Sequence, residues 1–162
     1  MKTKNIVIVI IALVLEFFRD YCFINLNLYI EYLENINNSL NVFNYTDSFI
    51  LNLINGFPIN YLYILKWILS LFFALAFIGI GILFSKLNFS SSKYKKFLKS
   101  YVSMGFLILL ISFILYYLGR FLSIEEKFNF YIISLELSHF IQSSLYPIIY
   151  ILMFWALNKE EL

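Results

Sequence analysis

The chain is poor in the residues from which most water-soluble and catalytic proteins are built. Of 162 residues only 14% are charged, with one histidine, one cysteine and five glycines. A soluble domain carries about a quarter charged residues and about half apolar ones. With 62% hydrophobic residues and a mean hydropathy of +0.82, this chain has no water-compatible surface to present, and soluble classes are excluded first. The single Cys22 rules out an internal disulfide. One histidine is too few for a di-iron bundle, which needs two Glu-x-x-His pairs and two more glutamates. It is also too few for the His-Glu-x-x-His of zinc hydrolases. No phosphate loop occurs, and Gly79-Ile80-Gly81 lies in an apolar run, where glycine ordinarily permits close helix packing. A net charge of +2 is too small to suggest nucleic acid. No metal or other cofactor is expected.

What the chain does have is Ile, Phe, Tyr, Asn and Lys in excess. Codon usage of an AT-rich genome explains that bias, so the 21% aromatic content is weak evidence for an aromatic ligand site. The apolar residues fall into four runs of membrane-crossing length. A hydrocarbon core about 30 Å thick needs roughly 20 residues of helix, and residues 5–24, 61–84, 101–121 and 130–155 meet it. The expected fold is therefore all-α, a polytopic four-helix transmembrane bundle forming one domain. Each span is expected to be a continuous helix, the fourth kinked at Pro147. The first run resembles a secretory signal, but Glu16-Phe17-Phe18-Arg19 stands where a signal peptidase needs small residues. Arg19-Asp20-Tyr21 before Cys22 likewise lacks the small residues of a lipobox. The segment reads as an uncleaved first span.

Orientation follows lysine and arginine. Lys2 and Lys4 precede the first span, and Lys86, Lys93, Lys95, Lys96 and Lys99 fall in the connection 85–100. The connection 25–60 carries Glu31, Glu34 and Asp47 and no cation. The expected topology places both termini and the basic loop in the cytoplasm, with 25–60 outside. Residues 25–40 alternate polar and apolar groups and suggest a helix on the outer membrane surface. Thr46-Asp47-Ser48 reads as a cap for a short helix over 49–54, closed by Asn55-Gly56. That segment is either a docking cap or a plain connector. The five loop lysines are expected to contact anionic lipid head groups.

The strongest pattern is charge inside the apolar runs. Glu16, Arg19 and Asp20 fall in the first, Lys66 in the second, and Glu136, His139 and Gln142 in the fourth, while Arg120 closes the third. At about 1.5 Å per residue, the expected topology sets them at one depth, in the outer half of the bilayer. Three acids meet three cations there. Charges in lipid cost several kcal/mol unless paired, so they face inward and find each other. Glu16 shares a helical face with Arg19 and Asp20, and Glu136 with His139 and Ser143. Three uses remain open: an ion-pair network that fixes packing, a cavity for a partner or substrate, or a proton-handling site around His139. A Cys22–His139 nucleophile pair is a remote variant of the last.

Three stretches carry a family likeness: Glu16-Phe17-Phe18-Arg19-Asp20-Tyr21-Cys22-Phe23-Ile24-Asn25-Leu26-Asn27, Tyr63-Ile64-Leu65-Lys66-Trp67-Ile68-Leu69-Ser70, and His139-Phe140-Ile141-Gln142-Ser143-Ser144-Leu145-Tyr146-Pro147. They resemble uncharacterised small four-helix membrane proteins of Bacteroidetes and, more distantly, exosortase-F-associated proteins. Those have a last helix with a Gln-Pro or Gln-Ser-Pro element; here Ser143-Ser144 follows Gln142, and proline arrives at Pro147. The resemblance implies an inner-membrane protein accessory to envelope sorting or export, and no catalytic residue. The first expectation is a non-enzymatic subunit that binds other membrane proteins. The alternative is a small transporter or membrane enzyme using Glu16, Lys66, Glu136 and His139.

Overall fold

Backbone groups in an apolar setting have no water to bond, so each segment must satisfy its own. The computed structural model describes residues 3–37, 48–121 and 124–157, with the side chains of 120 and 124–128 left out, and these residues form helices and short turns with no strand. In order they are α1 (Thr3–Asn37), α2 (Phe49–Ile54), α3 (Ile59–Asn88), α4 (Ser91–Leu118), a 3-10 turn (Gly119–Phe121), α5 (Ile124–Ile141) and α6 (Leu145–Leu157). Helices α3 and α4 are long and apolar enough to cross a membrane, and α5 with α6 adds a third span if the bent pair counts as one. Helix α1 fails that test because every eighteen-residue window of it holds at least three charges.

Three expectations about the helices change. The first helix does not end near residue 24, because α1 runs unbroken to Asn37. The alternating stretch 25–37 continues it, and α1 buries Cys22, Asn25, Leu26, Tyr29 and Ile30, one stripe at helical spacing. The basic connection is not a loop either: only Phe89 and Ser90 separate α3 from α4, and Lys93, Lys95, Lys96 and Lys99 ride on the first turns of α4. The fourth run is broken at residues 142–144, and the two helices meet at 71°. The break precedes Pro147, which occupies the first turn of α6, where a missing N–H costs nothing.

The chain divides into two compact units, residues 14–72 and residues 1–13 with 73–162. In the first, Leu26, Tyr29 and Ile30 of α1 pack on Leu51 and Ile54 of α2 and Leu62 of α3. Ser48 caps α2, its Oγ accepting from Leu51 N at 3.3 Å, and Asn55 with Gly56 (φ 84°) closes it, as the sequence suggests. Helix α2 is pinned to α1 at both ends. Ser48 Oγ donates to Asn25 Oδ1 (2.6 Å), Tyr29 Oη donates to Asn55 Oδ1 (3.3 Å), and Gly56 N donates to Tyr29 Oη (3.1 Å).

In the larger unit α4 and α5 form a hairpin. Ser112 Oγ donates to the Ser134 carbonyl and Ser134 Oγ to the Ser112 carbonyl, each at 2.8 Å, and both residues are buried. Two tyrosines lock this hairpin and α6 to α3. The Tyr101 hydroxyl donates to the Phe77 carbonyl at 3.3 Å, and the Tyr146 hydroxyl donates to the Tyr101 carbonyl. Each ring crosses its neighbour at a glycine four residues beyond the accepting carbonyl. A Cβ on Gly81 would stand 2.6 Å from Tyr101 Cζ, and one on Gly105 would stand 3.0 Å from Tyr146 Oη. A reciprocal amide pair, Asn5 with Asn88 at 2.7 and 3.1 Å, ties the start of α1 to the end of α3.

Gly81→Ala is expected to lower stability by about 1–3 kcal/mol through overpacking. Gly79→Ala, whose Cβ meets nothing within 4 Å, is expected to be neutral or to gain about 0.5–1 kcal/mol. Unfolding of both purified variants in one detergent measures the difference. Equal losses would show that Tyr101 does not lie over Gly81.

Candidate functional site

In the 14–72 unit the charged stretch of α1 closes on itself. Arg19 Nη2 lies 3.5 Å from Glu16 Oε1, one turn back, and 2.6 Å from Asp20 Oδ1, which also accepts from Nε at 3.0 Å. The Arg19 side chain is 14% exposed and that of Glu16 24%. The spacing i, i+3 brings the guanidinium and the Glu16 carboxylate onto one face. Lys66 is half-buried on α3, and the carboxylate whose charge reaches it is Glu34. Glu34 also accepts from the Tyr63 hydroxyl at 2.5 Å. Glu34 lies fourteen residues beyond Asp20 on one unbroken helix, about 21 Å at 1.5 Å per residue. This unit therefore holds two polar levels and does not bring Lys66 to Glu16 and Asp20. The reason is the extension of α1, which carries Glu34 up to the start of α3.

The remaining polar residues belong to the larger unit. Glu136 and His139 sit on exposed faces of α5, whereas Gln142 is buried at the break. Arg120 falls on the turn Gly119–Phe121, and its side chain lies outside the described residues. Ser143 expected to share a face with Glu136 and His139 instead lies past the end of α5. There it mends the break from both sides: its Oγ donates to the Phe140 carbonyl at 2.9 Å and accepts from Leu145 N at 3.3 Å. Gln142 Nε2 donates to Ser138 Oγ at 2.6 Å. Ile141 and Tyr146, which flank the break, are in the core with Ala74, Ile78, Phe97 and Tyr101. Among the described residues no three His, Cys, Asp or Glu side chains converge as metal ligands.

No family model, curated protein or solved structure matches the chain. The geometry alone therefore argues function. Its chemistry, among the described residues, is that of paired and capped groups. The five lysines gather at one end of the larger unit. Lys86 ends α3 and is exposed, Lys93 is half-buried, and Lys95, Lys96 and Lys99 are exposed on α4.

Asn25, Tyr29, Tyr101, Tyr146, Ser112 and Ser134 join the helices, and none of them is a candidate by sequence pattern. Their signal was a polar tip at a core position of a helical stripe. In a chain with 13 tyrosines, that signal does not stand out by residue type.

Arg19→Leu leaves the half-buried Glu16 and the exposed Asp20 without their cation and is expected to cost about 1–3 kcal/mol. Lys66→Leu removes a cation beside an exposed carboxylate and is expected to cost no more than about 1 kcal/mol. Unfolding of both variants in lipid bicelles compares them. Equal costs would mean that Lys66 belongs to the Arg19 level after all.

Proposed function

We propose that this is a four-span protein of a bacterial inner membrane, acting as a non-enzymatic accessory subunit of a larger membrane complex. In this reading α1, α3, α4 and the α5–α6 pair each cross the bilayer, and the lysine-rich end faces the cytoplasm. Charge placement supports the spans. Lys66 and Lys86 bound the charge-free stretch 67–85, and Lys99 and Arg120 bound 100–119. Either interval is about 30 Å of helix, the thickness of a hydrocarbon core. Lys66 then sits at the outer boundary, where a lysine extends its ammonium into water. Helix α1, about 52 Å long at 1.5 Å per residue, carries Glu34 beyond that boundary.

The observation that carries the subunit role is the outer cap. Phe49 and Leu53 of α2 are 72% and 60% exposed, with Phe57 and Tyr61 exposed after them. The other face of α2 is pinned to α1 by Ser48, Asn55 and Gly56. A rigidly held apolar patch outside the spans fits a partner surface. The resemblance to exosortase-F-associated proteins supports an envelope sorting or export system as its setting. Native extraction in mild detergent, followed by mass spectrometry, should recover one stoichiometric membrane partner. Phe49→Ser with Leu53→Ser should release that partner while the protein still accumulates in the membrane. Recovery of the protein alone from the unaltered chain would overturn the reading.

One feature favours a second reading, a small transporter or membrane enzyme. The break at 142–144 resembles the discontinuous helices that build substrate sites near the bilayer midplane, and His139 and Glu136 precede it on α5. That reading expects transport or turnover in proteoliposomes that titrates between about pH 5 and 8 and is lost in His139→Ala with folding intact. Activity indifferent to His139 would remove it.

A further inference from the structure

At the basic end of the larger unit, the last turn of α3, the Phe89–Ser90 break and the end of α6 enclose a cleft of about 430 Å³. Small-molecule sites commonly measure about 300–1,000 Å³. Its walls are aromatic: Phe84 from α3, Phe89 from the break, and Phe154 and Trp155 from α6. Its polar residues, Asn88, Ser90 and Lys93, belong to the α3–α4 elbow. The walls are set from behind. Phe89 and Phe154 lie 5.3 Å apart and each packs on Phe97, at 5.3 and 5.2 Å, which in turn stacks on Tyr101 at 5.0 Å. Asn88 is held by Asn5 of α1, and Asn5 lines a second depression with Thr3, Lys4 and Leu87.

Charge on the described stretches around the cleft has one sign, while Lys159, Glu160 and Glu161 follow α6 in the sequence. Lys4, Lys86, Lys93, Lys95, Lys96 and Lys99 fall within residues 3–13 and 73–118, and those residues include no aspartate or glutamate. A water-soluble anion would answer the lysines and leave aromatic walls unmatched. A neutral lipid would do the reverse. We infer that the cleft binds one anionic phospholipid, its phosphate at Lys93 and Ser90 and an acyl chain between Phe84, Phe154 and Trp155. This goes beyond lysines scattered over a lipid surface, because it assigns one headgroup to one lysine and a chain to a walled cleft. It rests on α3 and α4 crossing a membrane and is independent of any partner subunit.

Trp155 lines the cleft, and the chain has one other tryptophan, Trp67. Trp67→Phe therefore makes Trp155 a reporter. The variant is reconstituted in vesicles of phosphatidylcholine and phosphatidylglycerol, with bromine on the acyl chains of one lipid and then of the other. Bromine quenches tryptophan on contact. One lysine near a lipid surface is worth about 1 kcal/mol, so Trp155 should select phosphatidylglycerol over phosphatidylcholine by about fivefold. Lys93→Gln should abolish the preference, and Lys95→Gln with Lys96→Gln should keep it. Equal quenching by the two lipids would overturn the site while leaving the membrane reading intact. An equal fall in both sets of variants would overturn it in favour of a diffuse basic surface. No quenching by either lipid would overturn the membrane reading as well. If Trp67→Phe fails to fold, native mass spectrometry of the unaltered chain should show one retained phosphatidylglycerol, lost in Lys93→Gln. Retention of either lipid without preference would overturn the site.

Discussion

Lipid tails are as apolar as leucine, so helices in a bilayer gain little by burying leucine against each other. What joins them must be close approach and hydrogen bonding. In the larger unit this falls to two stacked tyrosines, Tyr101 and Tyr146, with ring centroids 4.8 Å apart. Each hydroxyl donates to a carbonyl on the neighbouring helix, Phe77 for the first and Tyr101 for the second. Each ring needs a glycine to cross, Gly81 or Gly105. Ring, hydroxyl and missing Cβ form one device used twice in series, from α6 to α4 to α3. Phe97 extends the stack, and Phe89 and Phe154 close around it, so the aromatic cleft inherits its shape from the same contact.

That dependence gives the break before α6 a packing role. Tyr146 is the second residue of α6, so its ring goes where the break sends it. A continuous helix through 142–144 would turn the face bearing Tyr146 without regard to Gly105. The bend of 71° instead leaves Tyr146 buried against α4, and Ser143 bonds the groups freed on both sides. A discontinuous helix is therefore consistent with architecture alone. A transport role would need Glu136 and His139 to act from exposed positions on α5.

The helical class, the capped helix α2 and the packing use of one glycine in Gly79-Ile80-Gly81 were legible in the sequence. They rest on local rules: apolar run length, a serine N-cap, and a glycine among large residues. The limits of the helices were not legible. Residues 25–37 alternate like an interfacial segment, yet they continue α1 because Tyr29 and Asn25 find partners in Asn55 and Ser48. Lysines at the start of α4 oppose the helix dipole and read as a linker, but Phe97 and Tyr101 among them are fully buried. Tertiary contacts outweighed local preference in both cases. The site was legible in part. Pairing of Glu16, Arg19 and Asp20 follows from spacing, whereas the partner of Lys66 depended on a helix length that the sequence does not fix.

The same distinction decides what the charges of α1 can do. An ion cluster satisfied within one helix does not discriminate among neighbours, since it offers an approaching helix little unmet charge. A charge shared between helices would make their association specific, at the cost of leaving each partner unpaired during insertion. Here most of the contacts between helices are uncharged: Asn5 with Asn88, Ser112 with Ser134, Ser48 with Asn25, and the two tyrosines over glycine, with Tyr63 on Glu34 the charged exception. Amides and hydroxyls suit that work because an unpaired hydroxyl in lipid costs less than an unpaired carboxylate. Each helix can then exist alone before it finds its neighbour. The ion pairs of α1 lie within one helix, and the neutral pairs decide which helices rest against each other.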